Sequence, residues 1–175
     1  MEDLIQIGLD CGFTEAVPLD PKTLVLRQEV RDMCAVNKCG AYNSNWTCPP
    51  ACGTLEEMGE KIAKYSRGVL LQTTGRMEDE YDIEVMMEAP KKHRENFKKF
   101  VEKLRELYPD SMPMGAGGCR NCQKCTYPDA PCRFPEKATV SMEGCGLVVT
   151  EVCQSAGVPY YYGPNTITYC ACALY

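Results

Sequence analysis

Residues 117–135 read GGCRNCQKCTYPDAPCRFP, and this stretch decides what kind of fold the chain needs. It holds four cysteines, Cys119, Cys122, Cys125 and Cys132, and soft thiolates crowded this closely have few roles besides holding a metal. Cys119, Cys122 and Cys125 keep a C-x2-C-x2-C spacing, the run by which bacterial-ferredoxin-type loops present three sulfurs to one inorganic core. A tetrahedral zinc site more often takes two thiolates from each of two separated knuckles, so Cys125 tilts the reading from zinc to iron. Structural zinc and free redox thiols are the competing readings. Gly115, Gly117 and Gly118 lead into the run and let backbone approach a bulky core and aim amides at its sulfurs. A phosphate-binding loop is the rival for these glycines, but no Walker lysine or dinucleotide spacing follows them.

Upstream, RDMCAVNKCGAYNSNWTCPPACG supplies Cys34, Cys39, Cys48 and Cys52. Their spacings match no single ferredoxin pattern, so this set says less about which metal it holds. A loop of buried reduced cysteines is the alternative, since free cysteine is among the most buried residue types. Around the downstream run, Arg120, Lys124, Arg133 and Lys137 outnumber Asp129 and Glu136, four cations against two acids. A four-iron cluster with four thiolates is an anion that nearby cations help retain, and an ordinary basic surface loop is the plainer alternative.

The chain has 175 residues, enough for one domain with a sizeable core. Its thirteen cysteines are an odd number, and disulfide scaffolds of secreted proteins are usually shorter. The N-terminal MEDLIQIGLDCGF starts acidic and lacks the pattern of a signal peptide, so a cytoplasmic location is expected, where thiols stay reduced and available as ligands. No apolar run reaches the roughly 18 residues of a spanning helix, so no membrane association is expected. Nineteen basic against 24 acidic residues give a net charge of −5, which argues against nucleic-acid binding.

The hydrophobic pattern places a helix over 2–11 ended by Gly12, extended segments over 15–19 and 23–26 around an Asp20-Pro21 turn, and a helical turn over 27–33. Thr54 and Glu57 form a capping-box signature for a helix over 54–65, starting directly behind CPPACG with its positive dipole end toward the first thiolate set. Residues 68–74 read as a buried strand. Asp79 to Glu88 is ambiguous, and Pro90 opens a long helix over 91–108 whose Phe97, Phe100, Val101 and Leu104 face a core. A helix over 148–156 ends at Gly157, and 158–162 and 166–174 form a final hairpin around Gly163-Pro164-Asn165. The expected class is α/β or α+β: one domain over 1–175, a mixed β-sheet with packed helices, and cysteine-rich metal-binding loops at 34–53 and 115–135.

With CGAYNSNWTCPP upstream and GGCRNCQKCTYPDAPCRFPEKATVSMEGCGLVV downstream, the chain resembles the family of predicted metal-binding proteins called domain of unknown function 2284, over nearly its full length. The resemblance implies a cysteine-bound metal centre in a cytosolic protein and implies no reaction. By motif position it falls on Cys34, Cys39 and Cys48 upstream and on Cys119, Cys122, Cys125 and Cys132 downstream. Cys52 fits it more loosely; without Cys52 the upstream site would have three thiolates and an open corner. The six residues between Cys125 and Cys132 are longer than the ferredoxin interval, so Cys132 could serve either site.

Cys170 and Cys172 lie two apart in an expected strand and face one way; they are read as core, with auxiliary ligands or a redox pair as the alternative. Cys11, Cys145 and Cys153 are read as core too. His93, the only histidine, lies on the apolar stripe and is read as packed or hydrogen-bonded rather than as a ligand or general base. No nucleophile elbow, zinc-protease motif or paired carboxylate stands out.

The leading functional expectation is an iron–sulfur protein with one or two [4Fe-4S] clusters that transfers electrons to a redox protein partner. The alternatives are an enzyme with an incompletely ligated catalytic cluster at the upstream site, and a zinc-stabilised interaction module. Whether the chain is an enzyme, and its oligomeric state, are left open by its sequence.

Overall fold

The computed structural model describes residues 3–175. In chain order the elements are α1 (Leu4–Asp10), β1 (Glu15–Leu19), α2 (Gln28–Ala35), α3 (Leu55–Ile62), β2 (Gly68–Arg76), α4 (Ile83–Leu107), β3 (Met112–Gly115), β4 (Val140–Ser141), α5 (Val149–Ser155) and β5 (Thr166–Leu174), with a 3-10 turn at Pro21–Thr23. The strands make one sheet in the order β1-β2-β5-β3-β4. All neighbours are antiparallel except β3 and β4, which are parallel. The fold is therefore α+β with a mixed sheet, within the class the alternating elements led one to expect.

Alternation along the two central strands builds a layer on each face, because successive side chains of a strand point to opposite sides. Val69 and Leu71 of β2 and Ala171 and Ala173 of β5 join Leu4, Ile7, Phe97, Phe100, Val101 and Leu104 in one cluster beneath α1 and α4. Leu70, Cys170, Cys172 and Leu174 turn the other way, onto Met58, Met114, Met142, Leu147, Val152 and Cys153. Phe100 and Leu104 are fully buried, each contributing about 1.5–3 kcal/mol of hydrophobic stabilisation. Helix α1 lies hard against the sheet: a β carbon on Gly8 would come within 2.7 Å of the Leu71 side chain.

Local sequence accounts for most boundaries. Asp3 caps α1 by accepting from the Ile5 amide, and Gly12, at φ +100°, turns the chain away. The expected helix over 2–11 thus runs from Leu4; its first residue, Glu2, lies outside the described residues. At α3 the reciprocal Thr54 and Glu57 capping box is formed as read. Helix α4 begins earlier than expected, because Asp82 accepts from the amides of both Val85 and Glu78. Pro90 accordingly sits inside that helix, where its missing N–H withdraws the usual partner from the Met86 carbonyl.

Three further expectations change. Segment 158–162 forms no strand and makes no ladder with β5, which pairs with β2 along its whole length and with β3 at Cys172–Leu174. It lies against β2 instead, with the Pro159 carbonyl accepting from Gln72 Nε2 and Tyr162 donating to Gln72 Oε1. Residues 23–26 give way to the 3-10 turn and a single bridge between Leu26 and Leu147. The short strand β4 carried no readable pattern. Among the described residues no helix is long and apolar enough to cross a membrane.

Candidate metal centre

Apart from Cys34, which lies in the last turn of α2, the cysteines of both sets sit on loops that the sheet and helices hold at their ends. The upstream loop joins α2 to α3, and the downstream loop joins the parallel neighbours β3 and β4. All thirteen cysteines are free thiols.

Cys119, Cys122, Cys125 and Cys132 line one cavity of ≈ 390 Å³, together with Asn45, Trp46, Thr47 and Arg133. The structure therefore places Cys132 with the C-x2-C-x2-C run. Burial alone would raise the Cys125 thiol, but the backbone amides of Tyr127, Trp46 and Thr126 and the Arg133 guanidinium together hold it below its ordinary value. Hydrogen bonds to the charged form favour that form, so the loop shifts this sulfur toward the thiolate. Arg133 is itself fixed by donating from Nη1 to the Lys124 carbonyl at 2.8 Å.

The upstream set is gathered as well. Cys34 lies within electrostatic reach of Cys39 and Cys52, and Cys48 within reach of Cys52, Cys39 and Cys34. Burial pushes the thiols of Cys34, Cys48 and Cys52 up, and the neighbouring sulfurs push Cys34 and Cys48 further the same way. Arg31 opposes this at Cys34 and Cys52. It is buried, donates from Nη2 to the Gly53 carbonyl at 2.8 Å and keeps its Nε without a hydrogen bond. A buried cation beside several thiols is a place for collected negative charge, since burying a lone charge is costly. Cys39 is exposed, Cys48 buried, and Cys34 and Cys52 half-buried, with Cys34 and Cys52 sulfurs 3.9 Å and 3.6 Å from the carbonyl oxygens of Glu143 and Gly144.

The two loops are bolted together by residues that no motif announced. Trp46 donates from Nε1 to the Ala130 carbonyl at 3.0 Å and packs edge-on against Tyr127. Tyr127 donates to Asn43 Oδ1 at 2.7 Å, and the Cys119 amide donates to Thr47 Oγ1 at 3.2 Å. Arg31 could have been suspected from its place three residues before Cys34 on one helix. Nothing local marks Trp46, Asn43 or Thr47, because their partners lie some 70–85 residues away in sequence.

The donor chemistry fits a thiolate-held metal, with sulfurs, amides and cations assembled at each loop. A single zinc ion needs sulfurs about 2.3 Å from one point. Among the described residues no three Cys, His, Asp or Glu side chains converge that tightly, so holding one ion would require a loop to draw in further.

The remaining cysteines belong to the core. Cys11, Cys145, Cys153, Cys170 and Cys172 are all buried. Cys170 faces Cys153, at 3.6 Å between sulfurs, and Gln72 Nε2 contacts both. His93 is buried, paired through Nδ1 with Thr73 Oγ1 at 2.9 Å and packed edge-on to Phe13, in keeping with a packed imidazole.

A family model described as "Predicted metal-binding protein (DUF2284)" matches residues 17–175. No curated protein and no solved structure matches the chain.

Proposed function

The chain belongs to the domain of unknown function 2284 family of predicted metal-binding proteins, and from that premise we propose that it is an iron–sulfur redox protein carrying one or two [4Fe-4S] clusters. Such a cluster, when bound, takes up and gives back single electrons. The observation that carries the reading is the shared cavity of Cys119, Cys122, Cys125 and Cys132, three of them at the x2 spacing. Those four cysteines would hold the downstream cluster, and Cys34, Cys39, Cys48 and Cys52 a second one.

Around each set the protein's own groups tune charge. Amides of Tyr127, Trp46 and Thr126 and the Arg133 guanidinium serve Cys125, while Arg31 serves Cys34 and Cys52. Hydrogen bonds and cations of this kind raise the potential of a thiolate-held centre. The docked loops place the two sets side by side, which suits electron passage from one to the other and on to a protein partner. A cytoplasmic location, where thiols stay reduced, belongs to the same reading.

Purification without oxygen, followed by iron, sulfide and zinc analysis and electron paramagnetic resonance before and after dithionite, tests it. The expected result is a brown protein with matched iron and sulfide and a signal on reduction. Colourless protein with stoichiometric zinc and no sulfide overturns it in favour of a zinc-stabilised module.

A further inference from the structure

A glutamine stands where the apolar run of β2 asks for a hydrophobe: Gln72 follows Val69, Leu70 and Leu71 and is fully buried. Burying an amide costs free energy unless its hydrogen bonds are made, and those of Gln72 are. Oε1 accepts from the Tyr162 hydroxyl at 2.6 Å, and Nε2 donates to the Pro159 carbonyl at 3.0 Å. The same Nε2 lies 3.4 Å from Cys153 Sγ and 3.6 Å from Cys170 Sγ.

These two sulfurs also touch each other. Cys153 on α5 and Cys170 on β5 bring their Sγ atoms to 3.6 Å, in van der Waals contact. The Cys170 thiol, donating to Cys153, and the Gln72 amide hold the Cys153 thiol below its ordinary value although burial opposes them. The same bond, with burial, pushes the Cys170 thiol up. One sulfur is thus shifted toward the thiolate while its neighbour keeps a proton, the division between an attacking thiol and a resolving one.

Both thiols are buried, Cys153 completely and Cys170 to all but 4%, so a reagent reaches them only through their cover. That cover is thin. Helix α5 has seven residues and starts at Val148 without a side-chain cap, and Gln154, Ser155, Tyr160 and Tyr161 beside it are exposed. Segment 158–162 bonds to the Gln72 side chain and is not paired into the sheet. Short elements with few buried contacts open locally at low cost, and hydrogen peroxide is little larger than water.

We propose that Cys153 and Cys170 are an oxidisable pair that forms an intramolecular disulfide, with a hydroperoxide as the oxidant, tying α5 to β5. The Cys153 sulfur attacks one peroxide oxygen, the O–O bond breaks, and Cys153 becomes a sulfenic acid with release of one water. The Cys170 sulfur then attacks the sulfenic sulfur; the S–O bond breaks, and the hydroxyl leaves with the Cys170 proton as a second water. The two thiols lose two hydrogens and two electrons, and one peroxide becomes two waters. The pair stands apart from the eight candidate metal ligands, so its oxidation does not depend on which metal the loops take.

The test is peptide mapping of the full chain, purified without oxygen, before and after hydrogen peroxide. Remaining thiols are alkylated in denaturant, and the chain is cut with chymotrypsin, which cleaves after Tyr160, Tyr161, Tyr162 and Tyr169 and so parts Cys153 from Cys170. We expect a linked peptide joining Cys153 to Cys170, two hydrogens lighter than its halves, that appears with peroxide and disappears with dithiothreitol. Cys172→Ser, a change two residues along the same face of β5, should keep the link. Cys170→Ser should lose it and leave Cys153 as a sulfenic acid that dimedone traps. Cys153 and Cys170 both alkylated while other cysteines have been oxidised overturns the proposal, as does a link from Cys153 to Cys172 in its place. Iron and zinc measured on the same samples keep the readings apart: metal lost with Cys153 and Cys170 still alkylated counts against this pair alone.

Discussion

A β carbon on Gly118 would lie 2.9 Å from the sulfur of Cys48, so the residue just before the downstream cysteine run leaves its side-chain space to an upstream thiol. The two cysteine sets are thus one packed unit, and the sulfur in question is buried rather than free to swing aside. Gly118→Ala should cost about 1–3 kcal/mol by overpacking and lower metal content at the upstream set. Gly40→Ala is the informative partner: nothing lies within 4 Å of its β-carbon position, although its φ of +72° strains any side chain. Metal analysis and thermal melts of the two variants should show metal loss in Gly118→Ala and a stability change alone in Gly40→Ala.

Backbone amides of Tyr127, Trp46 and Thr126 donate to the Cys125 sulfur, and Cys132 is the cysteine whose allegiance its sequence left open. Both line the downstream cavity. Cys125→Ser and Cys132→Ser should each remove about four irons from a chain holding two four-iron clusters, leaving the upstream signal in the reduced spectrum. Loss of the upstream signal with the downstream one retained in Cys132→Ser would assign that residue to the upstream site.

Trp46, the one tryptophan, lines the same cavity as the downstream cysteines. A coloured iron–sulfur core at that distance quenches indole emission, whereas zinc absorbs no visible light. Stripping metal with a chelator in mild acid and returning to neutral pH should raise tryptophan fluorescence. An unchanged yield with iron demonstrably lost would place the metal elsewhere.

His93 ties stability to pH. Burial pushes its imidazole down to about 4, only partly opposed by the Cys170 carbonyl, whereas an unfolded chain titrates near 6.5. Between those values the unfolded state binds the extra proton, so stability is full above about pH 6.5 and falls as pH drops toward 4, by on the order of 3 kcal/mol in total. Urea midpoints at pH 7.5 and 5 should differ more in the wild type than in His93→Gln. Equal differences would mean that the imidazole stays as easily protonated when folded as when free.

Local signals carried the fold a long way because they act within one turn or one strand. The Thr54 and Glu57 box, the Asp20-Pro21 turn and the apolar run of β2 all formed where their own residues called for them. Pro90 misled because the cap provided by Asp82 outweighs the missing amide proton of a proline inside a 25-residue helix. The expected final hairpin did not form: β5 pairs with β2 along its whole length, and segment 158–162 bonds instead to the Gln72 side chain, contacts made with residues distant in the chain.

For the site, the cysteine spacing by itself determined which eight thiols to consider as candidate metal ligands, because ligand type and loop length are written within a few residues. Only the tertiary structure decided that Cys132 joins the run before it, that Trp46 and Thr47 lock the two loops together, and that Arg31 lies beside the upstream thiols. Such pairings depend on the packing of remote segments, and burial, which sets their electrostatic strength, exists only once the chain has closed around them.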